Sequence, residues 1–291
     1  MIAIDWGTSR FRAFRVSEEG SVVDARVSAR GAGGIAQGRF RESLDEEVGD
    51  WIDAGERKVL MSGMVGSRRG WREVAYVEVP AGVREMADGV ERVDTPGIDA
   101  RIVPGLQCMD GTGVPDVMRG EETEIAGCLD ASAAACTFCL PGTHTKWVRV
   151  RAGKIVGFST FMTGDLYAAV KKNTILAQMT GDDRQDMSAF EAGVLRSRQQ
   201  GGLTHHLFGI RTAVLTGRME ECAASSYLSG LLIGHEVKEA GVGDEPVHLV
   251  GDAMLCDLYS AALASYGVTA FAESEGAALR GLTRIAALLR W

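Results

Sequence analysis

Short apolar segments at the start of the chain alternate with polar turns in the pattern of β-strands. Apolar and polar positions alternate from Ala3 to Asp5, from Phe11 to Val16 and from Val22 to Val27. The turns between these segments, DWGTSR and SEEGS, carry glycine, hydroxyl and charged residues. A period of two is typical of a half-buried strand, and polar turns mark the strand ends. The pattern therefore predicts a meander of three strands.

The same pattern returns near the middle of the chain. It predicts strands from Phe138 to Leu140, from Trp147 to Val150 and from Ile155 to Phe158, separated by the turns PGTHTK and RAGK. The first turn of each copy combines glycine with Thr or Ser, whose backbone N–H and hydroxyl groups can bind phosphate oxygens. Two such turns at matching places predict two similar lobes with a nucleotide between them.

Helical spacing follows each meander. Residues 39–54 place five apolar residues on one helical face, namely Phe40, Leu44, Val48, Trp51 and Ile52. Near the other end, VHLV is followed by a Gly251-Asp252 turn, a helical segment that ends at Gly267, and a further strand. This order is that of a βαβ unit. The pattern therefore predicts an α/β fold.

Length and composition favour two domains. A chain of 291 residues with 46% hydrophobic residues can fill two cores, and we predict lobes at residues 1–130 and 131–291. The net charge of −8, without a long run of Lys or Arg, argues against a nucleic-acid partner. Charges at Asp5, Arg10 and Arg12 interrupt any signal peptide, and no apolar stretch is long enough for a membrane span. We therefore expect a cytoplasmic protein.

Six cysteines at low density predict reduced thiols rather than a disulfide framework. Cys136 and Cys139 have the spacing of half a zinc site, but they lie in an apolar segment and no second pair exists. Burial as free thiols is the favoured interpretation.

The motifs resemble a known superfamily and, within it, one family. IAIDWGTS and LPGTHTKW look like the two phosphate motifs of the actin, Hsp70 and sugar-kinase fold. Five strings in order resemble the 2-dehydro-3-deoxygalactonokinase family: GMVGSRRGW, DVMRGEET, LPGTHTKW, FMTGDLYA and YLSGLLIG. The resemblance covers nearly the whole chain. It implies two actin-like ATPase (ribonuclease H-like) lobes with a nucleotide cleft between them, and ATP-dependent phosphorylation of 2-dehydro-3-deoxy-D-galactonate on O6 in galactonate breakdown.

Phosphoryl transfer requires positioning and charge neutralisation more than covalent chemistry. Asp5, at the end of the first strand, is the candidate to orient Mg²⁺ through water, because this hard cation prefers carboxylate oxygen and keeps several waters. Backbone and hydroxyl groups of the two turns are expected to hold the phosphates of ATP. The residues assigned to this role are Gly7, Thr8, Ser9, Gly142, Thr143, His144, Thr145 and Lys146.

A carboxylate must also accept the proton of the attacking hydroxyl. In the sugar kinases that this chain resembles, a Gly-Asp-Gln string precedes the second phosphate turn, and GEE holds that place here. The resemblance therefore implies Glu121 as the base. Glu122 and Glu124 remain alternatives because Glu replaces Asp, and Asp165 in FMTGD is a rival that we interpret as an aid to a helix start.

The carboxylate of a sugar acid calls for arginine or for backbone N–H groups. Gly66, Ser67 and Arg68, with neighbouring Arg69, offer both, and Arg119 is a second candidate. Adenine is expected at the Gly251-Asp252 turn, because ligands favour the carboxyl ends of strands. The Gly-rich segment 29–38 is either a mobile flap or a connector.

Two other functions stay open at this stage. The phosphate motifs predict ATP but do not specify the acceptor, so a kinase of another sugar or sugar acid fits them equally. A non-catalytic ATP-gated protein is the alternative from another class, because the fold also serves filaments and chaperones. We expect small-molecule partners only and no membrane partner, and a homodimer is left open. Closure of the lobes on the ligands is a further hypothesis.

Overall fold

The computed structural model describes residues 1–129, 135–180, 184–243 and 245–291. The chain divides into two compact units. One comprises Met1–Ala134, Arg149–Phe158 and Ser274–Trp291, and the other comprises Ala135–Val148 and Ser159–Glu273. Each unit thus draws on separate segments of the chain. The predicted boundary between residues 130 and 131 lies outside the described residues and stays a prediction.

The described residues form strands and helices in a mixed α/β order. The strands are β1 (Ile2–Trp6), β2 (Phe11–Val16), β3 (Val22–Ser28), β4 (Lys58–Gly63), β5 (Val77–Glu78), β6 (Glu91–Val93), β7 (Asp99–Ile102), β8 (Leu106–Met109), β9 (Pro115–Met118), β10 (Ala135–Leu140), β11 (Thr145–Arg151), β12 (Lys154–Phe161), β13 (Val247–Leu249) and β14 (Ala270–Ala272). The helices are α1 (Phe40–Asp53), α2 (Val83–Asp88), α3 (Glu121–Cys128), α4 (Thr163–Asn173), α5 (Met187–Ser197), α6 (Gly202–Leu215), α7 (Ala224–Glu239), α8 (Ala253–Ser265) and α9 (Ala277–Ala286). Both predicted meanders and the predicted βαβ unit are confirmed.

Two larger sheets repeat one strand order. The first sheet has the order β3-β2-β1-β4-β7-β6, and the second has the order β12-β11-β10-β13-β14. In each, the first strand of a meander lies between the second strand and a parallel partner, β4 in one case and β13 in the other. The repeated topology agrees with the duplication that the sequence predicts. Strands β5, β8 and β9 form a small separate sheet.

The core of the first unit lies against its large sheet. Helix α1 buries the five residues that its spacing predicts, and Phe40 packs against Trp6 and Trp71. Ile2, Ile4 and Trp6 of β1 are fully buried because the strand lies inside the sheet. This central strand therefore holds Asp5, which follows Ile4, on a rigid support.

Helix α9 fixes the position of α3. A Cβ atom on Gly281 would lie 1.8 Å from the carbonyl oxygen of Thr123, and one on Gly127 would lie 2.0 Å from that of Ala277. The two helices therefore approach too closely for larger residues at either position. Arg284 also donates to the carbonyl oxygens of Ala126 and Leu129, which satisfies the end of α3.

Two apolar clusters fill the second unit. One joins β10, β11 and β13 to α5, α7 and α8, and the other joins α4, α6 and α7. Helices α5 and α7 approach closely at Gly193 and Gly230, where a Cβ atom would meet backbone oxygen at 2.2 and 1.9 Å. None of the helices in the described part of the chain combines the length and apolar character that a membrane span requires.

Candidate active site

Asp5 forms an ion pair across the first hairpin. The register of β1 and β2 places it directly opposite Arg12, whose Nε donates to Asp5 Oδ2 at 2.7 Å and whose Nη2 donates to the same oxygen. Arg12 also reaches Glu124 Oε1 of α3 at 3.4 Å. One guanidinium therefore links two carboxylates, and both of its bonds to Asp5 use the same oxygen.

The first phosphate turn is braced by the Gly-rich segment. The N–H groups of Ala32 and Gly33 donate to the carbonyl oxygens of Gly7 and Thr8, each at 2.9 Å. A Cβ atom on Gly31 would lie 2.2 Å from the Thr8 oxygen, so only glycine allows this approach. The Gly-rich segment is thus a connector that is held in place at residues 31–33. The side chains of Thr8 and Ser9 are exposed.

Three acidic residues occupy the first turn of α3, where the helix dipole favours negative charge. Glu121 Oε2 accepts the backbone N–H of Arg119 at 3.0 Å, and its side chain is half-buried. Glu122 is fully buried, and its carboxyl accepts from the Gly120 N–H at 2.6 Å and from the Thr123 hydroxyl at 3.0 Å. The three carboxyls are therefore sequence neighbours in different environments.

Burial changes the acidity of two of these groups. Desolvation, together with the charge of Glu121, raises the pKa of Glu122 to about 8. Desolvation and the charge of Asp5 raise the pKa of Glu124 to about 7, against the opposing effect of Arg12. Near neutral pH, Glu122 is largely protonated and Glu124 is poised between its two states.

Arg119 is buried, unlike the arginine of the neighbouring loop. Its side chain is 9% exposed, its guanidinium lies 4.3 Å above the Tyr76 ring, and Nη2 donates to the Val74 oxygen at 2.7 Å. Among the described residues, Nε and Nη1 have no hydrogen-bond partner. Gly66 is buried beside Nη1, and a Cβ atom there would lie 2.8 Å from that nitrogen.

The other candidates of the acceptor loop are more open. Ser67 is half-buried, and the Arg68 side chain is 87% exposed and lies 3.5 Å from Glu73. Arg69 is also exposed. Arg119 and Gly66 are therefore brought together, whereas Arg68 points to solvent.

The second phosphate turn is packed against the start of α4. The N–H of Asp165 donates to the Thr143 oxygen at 3.1 Å, and His144 Nε2 lies 2.8 Å from Asp165 Oδ2. A Cβ atom on Gly164 would lie 2.5 Å from the Gly142 oxygen, so the helix and the turn are in direct contact. Asp165 lies in the first turn of α4, as its interpretation as an aid to the helix start requires.

Side chains of this turn divide into exposed and buried sets. Thr143 and His144 are exposed, whereas Thr145 is fully buried and its hydroxyl lies 2.9 Å from that of Tyr259. Lys146 is buried as well. Thr143 and His144, rather than the Thr145 hydroxyl, are thus the outward-facing part of the turn.

Gly251 and Asp252 start α8. Gly251 has a φ of 144°, which favours glycine, and Asp252 accepts the N–H groups of Met254 and Leu255 at 3.1 and 3.3 Å. Asp252 is therefore the N-cap of α8.

A cavity of about 380 Å³ lies beside this turn, within the second unit. Helices α4, α5, α7 and α8 contribute its walls. Its apolar lining includes Tyr167, Phe190, Leu232, Leu255 and Leu258, and its polar groups include Thr163, Ser225, Ser226, Ser229 and Tyr259. An apolar chamber with a few polar groups is the usual form of a small-molecule site.

Several of these residues are missing from the sequence-based site. Counting residues across the first hairpin could have predicted the contact of Arg12, because a tight turn pairs it with Asp5. No sequence signal identifies the serines of α7 as site residues, because a serine within a helix is usually an ordinary surface residue. Tyr259 of α8 also lines the cavity and is absent from the predicted site.

Comparisons with known proteins agree with the family resemblance. The family model described as 2-keto-3-deoxy-galactonokinase matches residues 5–285. The probable 2-dehydro-3-deoxygalactonokinase of Rhizobium meliloti is 37% identical, over 99% of this chain and 97% of that protein. The 2-dehydro-3-deoxygalactonokinase of Escherichia coli is 33% identical, over 93% of this chain and 92% of that protein.

Solved structures agree at the level of the fold. A crystal structure from Sinorhizobium meliloti, provisionally named 2-dehydro-3-deoxygalactonokinase, has a TM-score of 0.91 and 37% identity over 98% of this chain and 97% of its own. A provisionally named N-acetylglucosamine kinase from Porphyromonas gingivalis has a TM-score of 0.51 and 13% identity over 98% of each chain, which shows the fold alone. The predicted actin-like sugar-kinase fold is confirmed, and the chain belongs to the 2-keto-3-deoxy-galactonokinase family.

Proposed function

We propose that the protein transfers the γ-phosphoryl group of ATP to O6 of 2-dehydro-3-deoxy-D-galactonate in galactonate breakdown. The observation that carries this proposal is the 37% identity to a relative named for that activity, over almost the whole of both chains. The reaction joins the acceptor oxygen to phosphorus, breaks the bond to the β-phosphate oxygen and releases ADP and a proton.

The cavity of the second unit is our proposed adenosine site. Its apolar walls suit a purine ring, and its serine hydroxyls suit the polar edges of base and ribose. Gly251 and Asp252 then contribute by starting α8, because the cavity residues Met254 and Leu255 follow them directly. In this proposal adenine binds in the cavity, whereas the sequence predicted a direct contact with the Gly251-Asp252 turn.

The two Gly-Thr turns are the proposed phosphate sites. Gly7, Thr8 and Ser9 offer an exposed turn held by the segment at Gly31, and the second turn offers Gly142, Thr143 and His144. Lys146 and Thr145 are buried, so they would support the second turn from its inner side. In this arrangement the backbone N–H groups of the turns neutralise phosphate charge.

Asp5 fits a role toward Mg²⁺. Its carboxylate is a hard oxygen donor, and both hydrogen bonds from Arg12 go to Oδ2, so Oδ1 is the atom proposed to hold a water of the metal. Mg²⁺ would neutralise charge on the phosphate oxygens of ATP. Arg12 would orient the carboxylate.

Glu121 is the proposed general base. Its half-buried carboxyl stands at the first residue of α3 and is oriented by the Arg119 N–H. Glu122 is a weaker candidate because it is fully buried, and the Glu124 carboxyl is directed to Arg12. Asp165 is paired with His144. Proton acceptance by Glu121 would contribute about 10² to 10⁴ in rate.

Arg119 is the proposed partner of the substrate carboxylate. A buried guanidinium with two unpaired nitrogens is costly, and a bound carboxylate would supply acceptor oxygens where the protein supplies none. Gly66 and Ser67 would shape the adjoining wall. Arg68 is less suited because it is already exposed and near Glu73.

The proposal includes a cytoplasmic location and small-molecule partners only. ATP is the phosphoryl donor, and the net charge of −8 supports the absence of a nucleic-acid partner.

The test is ADP formation across a panel of 2-dehydro-3-deoxy sugar acids and neutral sugars, for wild type, Glu121→Gln and the exposed control Glu18→Gln. We expect 2-dehydro-3-deoxygalactonate to be the best acceptor and Glu121→Gln to lose about 10² or more in kcat while still binding ATP. A preference for another sugar would overturn the substrate. ATP binding without any acceptor turnover would favour the non-catalytic alternative, and full activity of Glu121→Gln would move the base to Glu124 or Asp165.

A further inference from the structure

A buried carboxylate of the second unit has no role in the site described so far. Glu236 lies in α7 and is 3% exposed. Its Oε1 accepts the indole N–H of Trp147 at 2.8 Å, and its Oε2 accepts the hydroxyl of Tyr259 at 2.9 Å. The Thr145 hydroxyl lies 2.9 Å from that of Tyr259 and donates to it, because the Tyr259 proton is used toward Glu236. Two donors therefore meet the carboxyl group directly, and Thr145 joins the network through Tyr259.

These donors match an ionised carboxylate. An ionised carboxyl accepts only, and here each of its two oxygens accepts one hydrogen bond. Burial raises the pKa of Glu236, and the hydrogen bonds from Trp147 and Tyr259 oppose that change. The network is complete only when both oxygens accept.

The donors come from the parts of the chain that form the proposed phosphate site. Thr145 and Trp147 are two residues apart in β11, so their side chains share one face of the strand, directly after the Gly142–His144 turn. Tyr259 of α8 lines the cavity. Glu236 thus links β11, which follows the turn directly, to the cavity wall.

The turn has little freedom once these elements are placed. Thr145 and Tyr259 hydroxyls lie 2.9 Å apart, and the Asp165 N–H donates to the Thr143 oxygen at 3.1 Å. Gly164 is in contact with the Gly142 oxygen and Thr143 Cα, so a shift of α4 would move the turn directly. The orientation of the turn's backbone N–H groups therefore depends on how β11 and α4 are held together.

We propose that Glu236 is a positioning residue for the nucleotide phosphates: by holding Trp147 and Tyr259, and Thr145 through Tyr259, it sets the Gly142–His144 turn in the geometry that receives the triphosphate. This inference rests on the proposed function, because it assumes that the turn binds ATP. Glu236 itself does not touch the nucleotide.

Glutamine at position 236 would rearrange the hydrogen bonds of this network. Trp147 Nε1 can only donate, so the amide oxygen of Glu236→Gln must face Trp147 and the amide NH₂ must face Tyr259. Tyr259 then accepts where it donated before, so its own proton turns to Thr145, which can no longer donate to Tyr259. The size of the side chain is unchanged, so the variant tests the hydrogen bonds rather than the packing.

The experiment compares binding of adenosine, ADP and a non-hydrolysable ATP analogue by calorimetry, for wild type, Glu236→Gln and the exposed control Glu239→Gln of the same helix. We expect Glu236→Gln to weaken the ATP analogue by about tenfold and adenosine by less than about twofold. Glu239→Gln should match wild type. In turnover assays, KM for ATP should rise while KM for the sugar acid stays unchanged.

Each outcome of this experiment either supports or overturns the positioning role of Glu236. An unchanged affinity of Glu236→Gln for the ATP analogue would overturn the inference. So would an equal loss for adenosine and the analogue together with a lower melting temperature, since that is the signature of a merely structural role. If wild type itself binds no ATP, the proposed function fails and the inference with it, so the two failures are distinguishable.

Tyr259→Phe is the second variant, for the case in which Glu236→Gln does not fold. It removes one hydroxyl from the network and leaves the carboxylate in place, so we expect the same selective loss for the ATP analogue at a smaller size, about threefold. Equal binding of adenosine and the analogue by Tyr259→Phe and wild type would count against the inference.

Discussion

Arg119 is a charged residue that is buried without a full set of hydrogen-bond partners. Its guanidinium is 9% exposed, and two of its nitrogens lack hydrogen-bond partners among the described residues. An isolated buried cation is costly, and here the Val74 oxygen and the Tyr76 ring compensate only in part. A bound anion would remove the remaining cost, which makes Arg119 the most informative side chain to change.

We predict that Arg119→Lys raises KM for the sugar acid by about tenfold, because lysine keeps the charge but loses the fork that binds a carboxylate through two parallel bonds. KM for ATP should stay unchanged. Steady-state kinetics with each substrate varied in turn measures both. The matched control is Arg68→Lys, whose side chain is exposed and should affect neither value. A larger effect at Arg68 than at Arg119 would transfer the carboxylate site to the loop.

Glu122 shows what full burial does to a carboxyl group. We predict that it makes folding stability depend on pH, because its pKa rises from 4.5 to about 8 in the folded protein. Between these values the native state binds a proton that the unfolded chain has released. Stability from Glu122 is therefore fully present below pH 4.5 and is lost as the pH rises through 8.

The measurement is the free energy of unfolding in urea, at several pH values, for wild type and Glu122→Gln. Glutamine stays neutral, so the stability of wild type relative to the variant should decrease as the pH rises. Parallel curves over the whole range would show that the carboxyl does not hold its proton in the native state.

At the scale of elements, the pair α3 and α9 connects packing to chemistry. Helix α3 begins with the proposed base, and α9 approaches it through glycines at 127 and 281. Arginines of α9 satisfy the carbonyl groups at the end of α3. The position of Glu121 is therefore set by a helix that is distant along the chain.

We predict that Gly281→Ala destabilises the protein by about 1–3 kcal/mol, because its Cβ atom would overlap the Thr123 oxygen and push the helices apart. The same displacement should lower kcat more than KM for ATP, since α3 carries the base. Urea unfolding and steady-state kinetics give the two values.

Gly209→Ala is the matched control, because Gly209 also lies within a helix, α6, but has open space where the Cβ atom would be. Alanine there should stabilise the protein by about 0.5–1 kcal/mol through the entropy of the unfolded chain. Equal effects of the two substitutions would show that helix propensity, and not the α3–α9 contact, decides the result at Gly281.

At the scale of the whole molecule, one fold serves different acceptors. A kinase with 13% identity, provisionally named for N-acetylglucosamine, shares the topology with a TM-score of 0.51. The duplicated meander carries both turns that we propose to bind phosphate, while the proposed acceptor residues Gly66 and Ser67 lie in the connection after β4. On this proposal, substrate choice depends on the connections rather than on the sheets.

Magnesium removal gives a prediction for the complete enzyme. Excess EDTA should stop ADP formation, because the charge on the phosphates of ATP would no longer be neutralised, and added Mg²⁺ should restore the rate. EDTA already saturated with Mg²⁺ should have no effect, which controls for the chelator itself. Full turnover in the presence of excess free EDTA would contradict the proposed role of Asp5.

The sequence by itself determined the strands, the duplication and the family. The strands from Phe11 to Val16 and the helix over 39–54 could be predicted because alternation and helical spacing depend on residues that are neighbours in the chain. The family followed from strings such as LPGTHTKW, in which the order of residues is itself the signal. The two Gly-Thr turns could be located for the same reason.

Tertiary structure alone decided which side chains are buried and which meet. Thr145 turns inward to Tyr259, Arg119 is buried whereas Arg68 is exposed, and Glu236 accepts hydrogen bonds from two other elements. The cavity proposed for adenosine likewise combines residues of four helices. These features depend on packing between segments that are far apart in the chain, and the local pattern around each residue is the same whether its side chain faces a partner or water.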